Sequence, residues 1–183
     1  IVGSNGGTGK LIQSGGTVTV TNSGAGGTNR GEFWVGQNTL NVTTSTYTLS
    51  GTGQLNVANN IVVGRNTGTG ILNLNGGTIN KTGAAGNFIV GYKDAVGVGG
   101  ISTGTYNQTS GTLNVNNETW VGEQKGTSGN TTGTLNLSGG TINSSSWVAV
   151  GRTDATGTVN MTGGTWNKLG GGNFIVGASG PGT

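Results

Sequence analysis

The chain has 183 residues, of which 42 are glycine, 31 threonine and 23 asparagine; only 13 are charged, the net charge is +3, and cysteine and histidine are absent. This composition excludes disulfide scaffolds, Cys/His metal sites and every catalytic scheme that uses histidine. Long helices are not expected either, because Gly costs about 1 kcal/mol per helical position and Thr and Asn are weak helix formers.

The first predicted element is a short apolar strand ending in Val2-Gly3. The same ending returns at Val35-Gly36, Val63-Gly64, Val90-Gly91, Val121-Gly122, Val150-Gly151 and Val176-Gly177, at a mean interval of 29 residues. A second marker lies between these pairs. It reads Ser14-Gly-Gly-Thr17, then Asn75-Gly-Gly-Thr78, Ser138-Gly-Gly-Thr141 and Thr162-Gly-Gly-Thr165, with degenerate copies at Ser50-Gly-Thr-Gly53 and Thr109-Ser-Gly-Thr112. Short alternating runs flank each marker, such as Leu72-Asn-Leu74 before and Thr78-Ile-Asn80 after. Alternation bounded by Gly and Asn is the signature of strands, and Gly at the corners permits positive φ. One period is therefore strand a, a Gly-rich corner, strand b, a variable loop and strand c. A fixed period of this length with no helix predicts an all-β fold. The expected form is a right-handed parallel β-helix (β-solenoid) over residues 1–183, a single domain of about six coils of ~29 residues with three short strands each.

Alternation also assigns faces. Inward positions are Leu72 and Leu74, Leu135 and Leu137, Val159 and Met161 on strand a. On strand b they are Val18, Leu55, Ile79, Leu113, Ile142 and Trp166. On strand c they are Phe33 with Val35, Ile61 with Val63, Phe88 with Val90, Val148 with Val150, and Phe174 with Val176. A core this narrow explains how 39 Leu, Ile, Val and Phe residues suffice. Gln13, Gln108 and Thr119 break the inward pattern. Outward on strand b runs a candidate ladder: Thr17 and Thr19, Thr78 and Asn80, Thr112 and Asn114, Thr141 and Asn143, Thr165 and Asn167. Structural stacking of Thr and Asn along parallel rungs is its plain reading, and a flat array for ice is its sharper one. Outward on strand c runs an apolar candidate interaction face, Trp34, Val62, Ile89, Trp120 and Ile175, with Ala149 in the same column. It packs under a loop, or it meets another subunit, or its aromatics stack on an extended glycan. Just after Val-Gly, Arg65, Tyr92, Glu123 and Arg152 share one column and Asp94, Lys125 and Asp154 another, which reads as pairing between adjacent coils.

Chemistry is sparse. The carboxylates are Glu32, Asp94, Glu118, Glu123 and Asp154, and only Asp94 and Asp154 share a register. Their spacing, about 9.6 Å across two coils, sits at the far limit for a glycosidase pair. A phosphate-loop reading of Gly3-Ser-Asn-Gly-Gly-Thr-Gly-Lys10 fails at Ser4 and Leu11. Calcium nonapeptides are absent, and the sequons at Asn41, Asn80 and Asn117 are expected by chance. Scattered basic residues argue against nucleic acid. No apolar run approaches the ~18 residues that span a bilayer, so membrane insertion by this segment is not expected. No enzymatic activity, cofactor or metal is expected.

The run Gly133-Thr-Leu-Asn-Leu-Ser-Gly-Gly-Thr-Ile-Asn143 followed by Trp147-Val-Ala-Val-Gly151 resembles the β-strand repeats of large bacterial surface and secreted proteins, autotransporter-type passenger domains and related adhesins among them. The resemblance implies an exported parallel β-helix stalk with an adhesive or scaffold role at a bacterial cell surface, and it supplies no catalytic residues. Both ends of the sequence fall within the repeat without a capping helix. The expected partners are therefore further repeats of the same chain, or the chain itself stacked end to end or laterally as a fibre, with glycans as the alternative partner.

Overall fold

The computed structural model describes residues 1–22, 31–38, 43–94, 100–125 and 130–178. Among them every regular element is a β-strand. Numbered in chain order, the strands form two sheets. Sheet A holds β1 (Val2–Ser4), β4 (Phe33–Asn38), β6 (Ile61–Asn66), β8 (Phe88–Lys93), β10 (Thr119–Gln124), β13 (Val148–Arg152) and β16 (Phe174–Ala178), in that spatial order. Sheet B holds β2 (Lys10–Gln13), β3 (Thr17–Val20), β5 (Thr44–Val57), β7 (Thr69–Lys81), β9 (Ile101–Val115), β11 (Asn130–Leu137), β12 (Thr141–Ser144), β14 (Thr156–Met161) and β15 (Thr165–Lys168). The pairings are parallel, and the chain passes back and forth between the sheets, an arrangement consistent with a β-solenoid.

The expected separation of strands a and b holds only in part. In β5, β7 and β9 the two runs join through the corner as one bent strand, with register shifts at Gly51/Gln54 and around Asn75. Elsewhere the corner divides β2 from β3, β11 from β12 and β14 from β15. Sheet B is thus one sheet with two arms, both facing sheet A.

Repeat positions stack residue on residue. Val35, Val63, Val90, Val121 and Val150 occupy one column of sheet A, and Tyr47, Leu72, Tyr106, Leu135 and Val159 one column of sheet B. These side chains form the core between the sheets. Full burial of each Leu or Val contributes about 1.5–3 kcal/mol. On the last rung the columns are open: Met161, Phe174 and Val176 are 49%, 47% and 76% exposed, while Leu137, Val148 and Val150 one rung back are buried.

Backbone contact between the sheets explains the Val-Gly signature. Gly64 has φ +71°, and a Cβ on it would lie 2.0 Å from the Thr103 carbonyl oxygen. Opposite it, a Cβ on Gly104 would lie 2.1 Å from the Val63 carbonyl oxygen and 2.2 Å from the Gly91 nitrogen. No side chain fits at either position. The partner glycine repeats as Gly70, Gly104, Gly133 and Gly157, in register along sheet B.

Candidate functional site

Two outward surfaces carry the candidate residues, and they are built differently. On sheet B, Thr17, Gln54, Thr78, Thr112, Thr141 and Thr165 form one column, and Thr19, Asn56, Asn80, Asn114, Asn143 and Asn167 the next. Each Asn donates from Nδ2 to the Oδ1 of the Asn on the preceding rung. The distances are 2.8 Å for Asn80 to Asn56, Asn114 to Asn80 and Asn143 to Asn114, and 2.9 Å for Asn167 to Asn143. A second ladder, on the other arm, was not singled out by sequence reasoning. There Asn160 donates to Asn136, Asn136 to Asn107 and Asn107 to Asn73, each at 2.8 Å. Its sequence signal was the same x-Asn-x alternation, in the run before each corner. The Thr members are half-buried at Thr78, Thr112 and Thr141 and exposed at Thr17, Thr19 and Thr165.

On sheet A, Trp34, Val62, Ile89, Trp120, Ala149 and Ile175 occupy consecutive rungs of one column. The column is not an open apolar surface. Trp34 and Trp120 are 8% and 7% exposed, Val62 and Ile89 1%, and Ile175 packs against them with partial exposure. Cations cover it. The Arg65 guanidinium carbon lies 3.9 Å above the Trp34 ring centre, and that of Arg152 lies 4.6 Å from Trp120 and 5.2 Å from Trp147. Such contacts contribute about 0.5–2 kcal/mol each, more when desolvated.

The neighbouring column, Gln37, Arg65, Tyr92, Glu123, Arg152 and Ala178, supplies those cations. Arg65 pairs with Asp94, and Arg152 Nη1 donates to Glu123 Oε1 at 2.8 Å. Glu123 is 1% exposed, and burial pushes its carboxyl above the usual range against the pull of Arg152. Its second oxygen, Oε2, has no hydrogen-bond partner, nor has Arg152 Nε. Between β10 and β13 the surface opens into a recess of about 330 Å³ lined by Trp120, Glu123, Lys125, Arg152 and Thr153. Thr153 and Asp154 hold φ of +48° and +58° in the turn beside it. Asp94 and Asp154, the carboxylate pair of the sequence reading, therefore lie in different settings, one of them taken up by Arg65. Among the described residues no three His, Cys, Asp or Glu side chains form a group that could hold a metal ion. No helix among them is long and apolar enough to cross a membrane.

The three polar residues that broke the inward pattern have partners on the next rung or at the corner. Tyr47 donates its hydroxyl to Gln13 Oε1 at 2.6 Å, and Gln13 Nε2 donates to the Gly16 and Gln54 carbonyls. Tyr106 donates its hydroxyl to Gln108 Oε1, two residues further along β9, at 2.9 Å, and Gln108 Nε2 donates to the Gly111 and Thr141 carbonyls. Each Tyr ring meets a Phe of sheet A edge-on, Phe33 with Tyr47 and Phe88 with Tyr106. Thr119 Oγ1 lies 3.1 Å from Ser144 Oγ, which also accepts from Trp166 Nε1. These are structural polar pairs across the core. They tie the Gly-rich corner to both arms of sheet B.

The comparisons add no relatives: no family model, no curated protein and no solved structure matches this chain.

Proposed function

We propose that the chain is a non-enzymatic structural β-solenoid, right-handed, of about six coils of ~29 residues with three strand positions each, serving as stalk or scaffold in an exported bacterial surface protein. The observation that carries this reading is the pair of asparagine ladders. They spend the polar side chains of sheet B on the neighbouring rung, along the stacking axis, and not on a convergent site. The likeness to bacterial surface repeats supports the extracellular setting. A solenoid of this kind is stable through contacts between nearest neighbours.

The second form of this reading is a fibre-forming subunit stacked end to end. The test is mechanical. Held by its two ends in an optical trap, a stalk should shed one coil at a time, each lengthening the chain by about 100 Å (~29 residues at ~3.5 Å). Collapse of the whole chain in one step at low force would defeat the stalk reading. Electron microscopy at rising concentration tests the fibre version in parallel, and filaments of regular width would support it. Binding to ice through the Thr-Asn columns predicts thermal hysteresis, and a solution that freezes with no hysteresis gap ends that alternative.

A further inference from the structure

The arm of sheet B that precedes each corner carries an outward array that was not among the candidate faces. β9 presents Thr103, Thr105 and Asn107 outward, alternating with the buried Ser102, Gly104 and Tyr106. β11 and β14 repeat the same three residue types in register. β5 and β7 repeat them with two changes, Thr48 in place of Asn and Ile71 in place of Thr. Three columns over five rungs give fifteen positions, ten of them Thr and four Asn, with no charged and no aromatic residue. β2 bounds the array, with Lys10 and Ile12 in two of its columns. The array is stiff. Thr is β-branched and restricted at χ1, and amide bonds lock the Asn column from Asn160 back to Asn73. Side-chain ladders of this kind hold a stack of strands flat. Gly104 and Gly133 leave no room for a Cβ against the Val63 and Val90 carbonyls, so the backbone of sheet A supports the arm directly from behind.

These features select the partner. Small-molecule sites are concave and lined largely by apolar and aromatic side chains, and charged ligands call for charged partners. Protein interfaces centre on aromatic, Met and Arg side chains, whereas the one large apolar residue of the array is Ile71. What the array offers is hydroxyls and amides, each both donor and acceptor, at fixed spacing. Rungs repeat at about 4.8 Å, and alternate residues along a strand at about 6.7 Å. Water joined by tetrahedral hydrogen bonds of about 2.75 Å repeats at about 4.5 Å and, at right angles to that, at about 7.3 Å. The misfit accumulates to about 1.2 Å from the first rung to the last, and to about as much across the three columns, less than half of either repeat. We propose that this arm binds the surface of crystalline ice, itself uncharged, through its Thr and Asn columns. The face across the corner, with Thr78 and Asn80, is poorer, since its strands offer two outward positions per rung and Gln54 interrupts the Thr column. The proposal is independent of the stalk reading, because a stalk can carry such a face or lack one, and unfolding in the optical trap bears on the stalk alone.

The test uses the whole chain and ice itself as the probe. A fluorescently labelled chain should be taken up into a slowly grown ice crystal, and its solution should show thermal hysteresis. Thr134→Tyr and Thr105→Lys, each in the central column, should lower the hysteresis ~10-fold, because one protruding side chain keeps its neighbours from engaging together. Circular dichroism melts identify which of the two variants are folded, and either one suffices. Thr141→Tyr, across the corner, should leave the hysteresis unchanged. Exclusion of the chain from growing ice overturns the proposal. So does hysteresis that a folded Thr134→Tyr or Thr105→Lys chain retains in full, or that Thr141→Tyr alone abolishes. A dimer that ice excludes and that Thr134→Tyr dissociates would make a second copy the occupant and overturn it as well.

Discussion

The outward surfaces of sheets A and B stack on the same parallel rungs but solve the problem of identical neighbours in opposite ways. On sheet B asparagine follows asparagine over five rungs of one column and four of the other, and its amide is both donor and acceptor, so like can follow like. On sheet A the corresponding column alternates, Arg65, Tyr92, Glu123, Arg152, because like charges on adjacent rungs repel. The amide ladder carries periodicity. The charged column carries position, since each charge needs a particular partner at a particular rung. Sheet A is accordingly where apolar burial, ion pairs and the recess gather, and sheet B is where the repeat is most regular.

The contact between the two sheets is the first place to break. Gly104→Ala forces a methyl group to within 2.1 Å of the Val63 carbonyl oxygen and 2.2 Å of the Gly91 nitrogen, both backbone atoms that cannot yield separately. We expect a loss of about 4 kcal/mol, or no folded protein, by urea denaturation. The same change at the corner glycine Gly15, where a Cβ meets only the Thr52 hydroxyl at 3.7 Å, should cost under ~1 kcal/mol. Equal effects at the two glycines would show that sheet contact is not what selects glycine.

The charged column comes next. Glu123→Ala leaves Arg152 buried against Trp120 and Trp147 with no carboxylate, and it should cost about 3 kcal/mol. Replacing both, as Glu123→Leu with Arg152→Met, should recover most of that loss, because desolvating the pair offsets much of its attraction. A double replacement as damaging as the single one would mean that the column is held by geometry specific to the pair.

The ladders should respond more mildly and in proportion to the bonds removed. Asn114→Ala deletes two amide bonds, to Asn80 and from Asn143, for an expected loss of about 1–2 kcal/mol. Asn167→Ala, on the last rung, deletes one and should cost about half as much. Equal losses at the two positions would show that the ladder does not act bond by bond.

These contrasts also mark what was legible from residues alone. The Val-Gly period announced the stack because the glycine is a steric necessity repeated once per turn, and the Thr-Asn run announced a ladder because identical residues recur in register. The Thr-Gly partner, as at Thr103-Gly104, passed unnoticed because glycine is common throughout the chain and the constraint is set by a strand some forty residues earlier. The Tyr47–Gln13 pair was visible only as a violation. Gln13 meets Tyr47 across a rung, and an inward/outward pattern along one strand says nothing about such a neighbour. The strand c column is legible as apolar from alternation, but its burial depends on Arg65 and Arg152 folding over it, which alternation cannot express.

A pH-dependent effect sharpens the comparison from the inner side of sheet B. Lys81 occupies the column of Val57 and Val115 and is 1% exposed, with its ammonium donating to the Gly83 and Ala85 carbonyls. Burial lowers its pKa from 10.5 to about 8. The unfolded chain therefore holds this proton more tightly than the folded one between pH 8 and 10.5, and stability should rise with pH across that window. The carbonyl partners favour the charged form and oppose the burial, so the gain is on the order of 1 kcal/mol. Above pH 10 the trend reverses. Burial raises the Tyr47 pKa from 10.0 to about 12 and that of Tyr106 well above 10.0, so the unfolded chain loses those protons first. Urea midpoints should climb from pH 8 to a maximum near 10 and then fall, and Lys81→Met should keep the fall and lose the climb. A Lys81→Met chain that still climbs would place the proton on another group and leave sheet B, like its ladders, without a charge that matters.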